Sequence, residues 1–245
     1  MEQRSQKRAL ITGGGTGIGL AIARSLGANG YEVFVAGRRL EILEASGFNP
    51  IQMDVTDRAS IDEAVEVCGQ IDVFVANAGR ADTAPALKLT AATWDDMIAV
   101  NLTSVFHCAQ SVLPQMKMRG HGRFIAVAST AALKGYRYTA AYAAAKHGVL
   151  GFIRCLALEL ANSGVTANAV CPGFTDTPLI DDALSNIEKK TGASREEALQ
   201  QIVVANPQSR LIAPEEVAAA VAWIASDAAA AVNGQAIAID GGETA

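Results

Sequence analysis

The chain has 245 residues, half of them hydrophobic and 22 of them glycine, with few aromatics. That length and makeup suit a compact globular domain and exclude a disordered, fibrous or collagen-like chain. The 20 basic and 25 acidic residues give a net charge of −5 without a long run of either sign, which argues against nucleic acid as a partner.

The opening residues, MEQRSQKRALITGGG, lack the order of a signal peptide, and no apolar stretch reaches the length of a membrane span. A cytoplasmic location with no membrane partner is therefore expected. Short Val- and Ile-rich runs predict strands at Ala9–Thr12, Glu32–Ala36, Pro50–Asp54, Asp72–Ala76, Arg123–Ala128, Thr166–Val170 and Ala236–Ile239. Helical patterns begin near Ile18, Ser60, Trp94, Ala140 and Glu215. The segment Arg38 to Ser46 is short for a crossover, so the second helix should have only about two turns. Strands alternating with helices predict an α/β fold: a parallel sheet of about seven strands with helices on both faces. No linker, repeat or low-complexity tract divides it, and residues 1–245 read as a single domain.

Ala9–Thr12 leads into a glycine-rich turn, Gly13-Gly-Gly-Thr16-Gly17-Ile18-Gly19, with a helical pattern behind it. Placed between a strand and a helix, such a turn lets the backbone approach a pyrophosphate, which sits on the N–H groups of the helix start. A dinucleotide cofactor is expected. At the end of the second strand an acid would hold the ribose 2′-OH of NAD, but here Gly37 is followed by Arg38 and Arg39. Glu32 is at the other end of the strand. Guanidinium groups match phosphate oxygens, so NADP(H) is preferred and NAD(H) remains possible, since Arg38 could also stack on the adenine or face water.

Tyr142 and Lys146 are four residues apart in Tyr142-Ala-Ala-Ala-Lys146, one turn apart on the same helix face. A nearby cation favours the phenolate and draws the tyrosine down from about 10, toward a value useful for proton transfer at neutral pH. The spacing alone does not separate this from a Tyr/Lys pair on a solvated helix. The same helix continues as GVLGFIRCLALELA, apolar nearly all round. It needs cover on more than one side, which points to a second subunit as well as the sheet. The four cysteines are scattered and read as small buried hydrophobes. His107, His121 and His147 show no metal-ligand spacing, and no metal site is expected.

Taken in order, Thr12-Gly-x-x-x-Gly17-x-Gly19, Asp54-Val55, Asn77-Ala78-Gly79, Asn101, Ser129, Tyr142-x-x-x-Lys146 and Pro172-Gly173 with Thr175 and Thr177 resemble the short-chain dehydrogenase/reductase family over essentially the whole chain. The resemblance implies an open, doubly wound parallel sheet of the Rossmann type and a catalytic set of Asn101, Ser129, Tyr142 and Lys146. It further implies that Asp54 and Val55 bound the adenine pocket, and that Asn77, Ala78, Gly79, Pro172 and Gly173 line the cofactor. Thr175 and Thr177 would hold the nicotinamide carboxamide. Ser129, ending a strand, would bond the substrate oxygen, and Lys146 the nicotinamide ribose. Asn101 would help hold a water that relays protons to Lys146. The family often has a second Asn before Asn77, and here Ala76 takes its place. The family habit of forming tetramers makes a homotetramer or homodimer the expectation.

Residues between Thr177 and Pro214 carry two weak helical patterns, Asp181–Lys190 and Ser194–Val204. In the family this region, about 178–212, forms a substrate lid. Leu179, Ile180, Leu184 and Ile202 are candidates for its inner face. Ala167–Phe174 and Lys146–Phe152 look similar to ketoreductases acting on 3-oxoacyl thioesters, including those of polyketide synthesis. Lys117, Arg119, Arg123, Lys134 and Arg137 could meet the phosphates of such a thioester's carrier, or simply be solvated. Tyr136 and Tyr138 could line the pocket or pack as ordinary residues. The resemblance thus favours reduction of a 3-oxoacyl thioester or similar small-molecule ketone. Dehydrogenation of another small alcohol, sugar or steroid with NAD is the alternative, and a non-catalytic NADP(H) sensor or scaffold is the reading from a different class.

Overall fold

Seven parallel strands form one sheet in the order β3-β2-β1-β4-β5-β6-β7. The computed structural model describes residues 6–245, and the side chains of Leu179, Asp182, Asn186 and Lys190 lie outside it. In chain order the strands are β1 (Arg8–Thr12), β2 (Glu32–Gly37), β3 (Asn49–Gln52), β4 (Val73–Ala76), β5 (Gly122–Val127), β6 (Val165–Pro172) and β7 (Ala236–Ile239). The helices are α1 (Gly17–Ala28), α2 (Leu40–Glu44), α3 (Arg58–Cys68), α4 (Ala91–Ile98), α5 (Ser104–Arg119), α6 (Ala140–Leu160), α7 (Pro178–Thr191), α8 (Arg195–Val203) and α9 (Pro214–Ala225).

Successive side chains of a strand point to opposite faces, so each strand feeds two cores. Leu10, Phe74, Phe124 and Ala167 face α3, α5 and α6, where they meet Ile61, Val112 and Ile153. Ala9, Ile11, Val35 and Ile125 face α1 and α9, against Ile22, Leu26 and Val221. β4, β5 and β6 are buried from end to end. That is why β4 reads as a continuous apolar run rather than an alternating one, while β5 and β6 also bury the polar Arg123, Thr166 and Asn168.

Several boundaries differ from expectation. α2 is only five residues long, shorter than two turns. β3 ends at Gln52, before Asp54. Asp54 instead starts a turn in which its carboxylate accepts from the Thr56 N–H (2.9 Å) and hydroxyl (2.7 Å). The helix expected near Trp94 is two helices, α4 and α5, joined by a widened turn over Ala99–Thr103. Cys68, Cys108 and Cys171 are buried as expected, but Cys155 is exposed on α6.

β1 and β4 are neighbours, yet the chain leaves them toward opposite edges of the sheet. Such a switch point opens a crevice at the carboxyl ends of the strands, and ligands bind there in folds of this kind.

Candidate active site

The first turn closes on the crevice through one hydroxyl. Thr12, 1 % exposed at the end of β1, accepts hydrogen bonds from the backbone N–H groups of Asn77 (2.9 Å) and Ala78 (2.8 Å) beyond β4. Asn77 returns its side-chain amide to the carbonyls of Thr12 (2.8 Å) and Gly13 (3.2 Å). Gly19 completes the turn by close approach: a Cβ there would stand 2.2 Å from the Gly13 carbonyl oxygen. α1 starts after Thr16 with no side-chain cap and no acid in its first turn, so its leading N–H groups remain available to an anion.

The adjoining cleft is lined by Gly13, Thr16, Arg38, Arg39, Asp54, Val55, Ala78 and Gly79. These expected cofactor residues therefore meet in one place, although they come from loops after four different strands. Gly37 offers no acid. Arg38 and Arg39 are exposed at its rim, and among the described residues neither guanidinium is held by a hydrogen bond or ion pair. Glu32 is occupied at the amino end of β2 by Arg8, at 2.7 Å. The Asp54 carboxyl is held below its usual range, mainly by the backbone and hydroxyl bonds from Thr56, with the Arg38 charge adding to them.

Ser129, Tyr142 and Lys146 converge at the carboxyl end of β5. Ser129 is the second residue past the strand, in extended backbone, and its Oγ accepts from the Ala131 N–H at 3.1 Å. α6 passes over this end, and Lys146, 4 % exposed, donates to the Val127 carbonyl at 2.9 Å. The Lys146 Nζ is 5.7 Å from the centre of the Tyr142 ring. Burial pulls the Lys146 ammonium down to about 8. Burial also pushes the Tyr142 phenol up, with a hydrogen bond to Ser129 opposing it. This corrects the expectation of a phenol lowered by its lysine: burial disfavours the charged form of the phenol.

Asn101 is fully buried in the widened turn between α4 and α5. Its amide donates to the carbonyls of Arg80 (2.9 Å) and Met97 (3.1 Å), and its oxygen accepts from the Arg80 N–H (3.3 Å). Gly79 lies between it and the lysine. A Cβ at Gly79 would be 2.8 Å from Asn101 Oδ1 and 3.6 Å from Lys146 Nζ. Asn101 thus fixes the loop after β4 against Lys146.

The segment after β6 crosses the first turn, and the Thr177 side chain lies against Gly17. Thr175 is buried and donates to the Gly173 carbonyl at 3.0 Å. Backbone bonds Ile212 to Phe174 and Asp176 to Ile212, both 2.9 Å, pin the two ends of the excursion that carries α7 and α8. Ile180, Leu184 and Ile202, expected on the inner face of a lid, pack into a small core of their own with Ala198. Leu179 is among the side chains outside the described set.

The cationic residues are placed otherwise than expected. Arg119 and Arg123 lie at the amino-end side of the sheet, where Arg119 pairs with Asp72 at 2.9 Å and Arg123 is buried near Asp227. Lys117 shares that end of α5. All three are remote from the carboxyl ends. Lys134 is on the correct side but is paired with Glu243 at 3.1 Å. His147 is turned back on its own helix, its Nδ1 2.9 Å from the Ala143 carbonyl.

The sequence matches the short chain dehydrogenase family over residues 7–188. The chain belongs to that family. Among curated relatives, a Streptomyces virginiae protein assigned as the ketoacyl reductase of a monensin polyketide synthase is 40% identical, covering 99% of this chain and 98% of its own. D-beta-hydroxybutyrate dehydrogenase of Cupriavidus necator is 37% identical, with 96% and 97% covered. A variant of the actinorhodin polyketide ketoreductase, crystallised with NADPH, superposes with a TM-score of 0.93 at 38% identity, covering 100% of this chain and 99% of its own. This short-chain dehydrogenase is therefore an oxidoreductase with a single Rossmann-type domain. None of its described helices is long and apolar enough to cross a membrane.

Proposed function

We propose that this short-chain dehydrogenase is an NADP(H)-dependent reductase that converts a ketone to a secondary alcohol, or runs the reverse, on a 3-oxoacyl thioester or similar ketone. The observation that carries the reading is the meeting of Ser129, Tyr142 and Lys146 beside the arginine-rimmed cleft. Two guanidiniums without a partner among the described residues, and the absence of an acid at Gly37, fit a 2′-phosphate. The turn Gly13, Thr16, Gly17, Ile18 and Gly19 fits the pyrophosphate. Asp54 and Val55 would flank the adenine, with Asn77, Ala78 and Gly79 along the cofactor's middle. Pro172, Gly173, Thr175 and Thr177 would hold the nicotinamide end, with Tyr142 and Lys146 at its ribose. A bound nicotinamide supplies the hydride, or accepts it in the reverse direction.

The chain's own groups handle the oxygen and its proton. Ser129 holds the carbonyl oxygen by a hydrogen bond, and Tyr142 gives that oxygen its phenolic proton. A phenol raised by burial is protonated at neutral pH, as a proton donor must be. Lys146 spends one N–H on Val127, leaving two for the ribose and for the proton's return to Tyr142. With its ammonium drawn down to about 8, it can release a proton near working pH. We assign Asn101 the holding of a water that links Lys146 to solvent. α7 and α8 form the lid over the substrate.

The ketoacyl reductase relatives support the thioester reading. A second reading, oxidation of a small hydroxy acid, rests on the likeness to D-beta-hydroxybutyrate dehydrogenase. NADPH and NADH oxidation with a panel of 3-oxoacyl thioesters, ketones and 3-hydroxy acids separates the two. Tyr142→Phe should bind cofactor normally and lose turnover by about a hundredfold or more. Cofactor binding without turnover by the unaltered chain would overturn the enzymatic reading in favour of a sensor or scaffold.

We further propose that the chain is a homodimer or homotetramer. Phe106 on α5 is 40% exposed and Leu158 on α6 is 81% exposed, on helices whose other faces are buried. Light scattering showing a monomer at micromolar concentration would rule this out.

A further inference from the structure

Beyond the four residues assigned to chemistry, one buried carboxylate has no part in the proposal above. The Glu243 side chain is 1 % exposed, in the segment after β7. Its Oε1 accepts from the Tyr136 phenol at 2.5 Å and forms an ion pair with the Lys134 ammonium at 3.1 Å. The Tyr136 oxygen is also 2.7 Å from Thr130 Oγ1, the residue next to Ser129. Lys134 bonds the Glu243 main-chain carbonyl as well, at 3.2 Å, and rests 5.0 Å from the centre of the Tyr136 ring. On its far side, the Tyr136 ring meets Phe174 edge-on, with centroids 6.0 Å apart.

These contacts all fall on one stretch of chain. Thr130, Lys134 and Tyr136 belong to the loop that runs from Ser129 to α6, which carries Tyr142. The first turn of that loop is bonded to itself, with the Ala132 N–H on the Ser129 carbonyl at 2.9 Å and the Leu133 and Lys134 N–H groups on the Thr130 carbonyl at 2.9 and 3.1 Å, whereas Tyr138 farther along has a left-handed backbone, φ 68°. The segment holding Glu243 is itself fixed: Asp240 accepts from the N–H groups of Gly242 and Thr244 at 3.0 Å and from the Thr244 hydroxyl at 2.6 Å. Gly173 leaves the space for it, since a Cβ there would press within 3.3 Å of both Asp240 and Glu243 Oε2. A rigid anchor is therefore bonded, through a charged acceptor shielded from water, to the loop joining two catalytic groups. Charge-assisted bonds of this kind are stronger than neutral ones and hold geometry tightly.

We propose that Glu243 is a positioning residue: through Tyr136 and Lys134 it holds the Ser129–Tyr142 loop so that hydroxyl and phenol meet the same substrate oxygen. The proposal rests on the ketone-reductase reading for its kinetic consequence, but its structural half does not. A small misplacement of catalytic groups costs about a hundredfold in rate when binding is otherwise intact.

The test uses the full chain with NADPH and acetoacetyl-CoA, together with hydrogen exchange of the loop amides. Glu243→Ala should lower kcat about tenfold to a hundredfold while KM and NADPH affinity change by less than about threefold. Glu243→Gln keeps an oxygen acceptor for Tyr136 and should recover most of that loss. Tyr136→Phe should reproduce the loss, and adding it to Glu243→Ala should cost little more, because both break one link. Amides of residues 130–139 should exchange about tenfold faster in Glu243→Ala. Unchanged loop exchange would overturn the proposal even if the chain turned over no ketone at all, which separates it from failure of the functional reading. A general fall in melting temperature and NADPH affinity, with no recovery by glutamine, would reduce Glu243 to a merely structural residue and overturn it too.

Discussion

Replacing Lys146 by methionine is expected to make the folded chain more stable while abolishing turnover. Folding takes this ammonium from water to a site 4 % exposed, and burial brings it down from 10.5 to about 8. At 1.36 kcal/mol per pH unit, that displacement amounts to about 3 kcal/mol against the folded state. Methionine has a similar length and no charge, so the penalty disappears with it. What is lost is the bond to the Val127 carbonyl, worth about 1 to 2 kcal/mol including the acceptor left behind. The variant should therefore be about 1 to 2 kcal/mol more stable at pH 7. The sign with pH follows from the two protonation states. Below pH 8 the lysine is charged in both folded and unfolded chains, and the penalty is present in full. Between about 8 and 10.5 the folded chain has released the proton and the unfolded chain has not, so the unaltered protein gains on the variant as pH rises. Urea unfolding of both proteins at pH 7 and at about pH 10 reads the difference directly. A methionine variant less stable at pH 7, or a gap identical at the two pH values, would refute the reasoning.

Two further expectations concern the cofactor cleft. Arg38→Ala should weaken NADPH about tenfold to a hundredfold and NADH less than about threefold, measured by fluorescence titration; equal losses would mean the guanidinium does not meet the 2′-phosphate. Thr12→Val keeps shape but leaves the part-buried N–H groups of Asn77 and Ala78 without an acceptor, so urea unfolding should register a loss of about 1 to 3 kcal/mol. A Thr12→Ser control retains the oxygen, and a loss as large as that for valine would show that the methyl group, and not the hydroxyl, is what matters.

The glycine turn, the Tyr142–Lys146 spacing and the strand runs were legible because each is local. A turn, a helix period or a buried strand is written in residues close together in the chain. The shorter α2 and the early end of β3 were not, because Asp54 reads as strand until Thr56 is seen to bond it into a turn. The widened turn around Asn101 leaves the apolar period of its flanks intact, so it looks like uninterrupted helix. The cationic residues misled for a different reason. Charge in the sequence does not say which end of a parallel sheet it occupies, and Arg119 and Arg123 proved to be at the amino ends, already matched to Asp72 and Asp227.

The least legible part of the site is what holds its loops. Thr12 ties the loop after β4 to β1, Asn101 ties Arg80 to the helix pair, and Tyr136 ties the loop after β5 to the segment after β7. In each case one polar side chain reaches a stretch of chain that is more than 20 residues away, except where Asn101 also reaches Met97. The apolar cores fix the strands and helices and reach into the loops only at their starts, as at Met53 after β3 and Ala128 to Ala132 after β5. Beyond those points their geometry comes from hydrogen bonds. That division predicts where substitutions will act: changes in the cores should alter stability with little selectivity for turnover, whereas changes at these three ties should alter turnover out of proportion to their cost in stability. Mutants of Thr12, Asn101 and Tyr136 that lost activity only in step with unfolding would show that the loops are held by the cores after all.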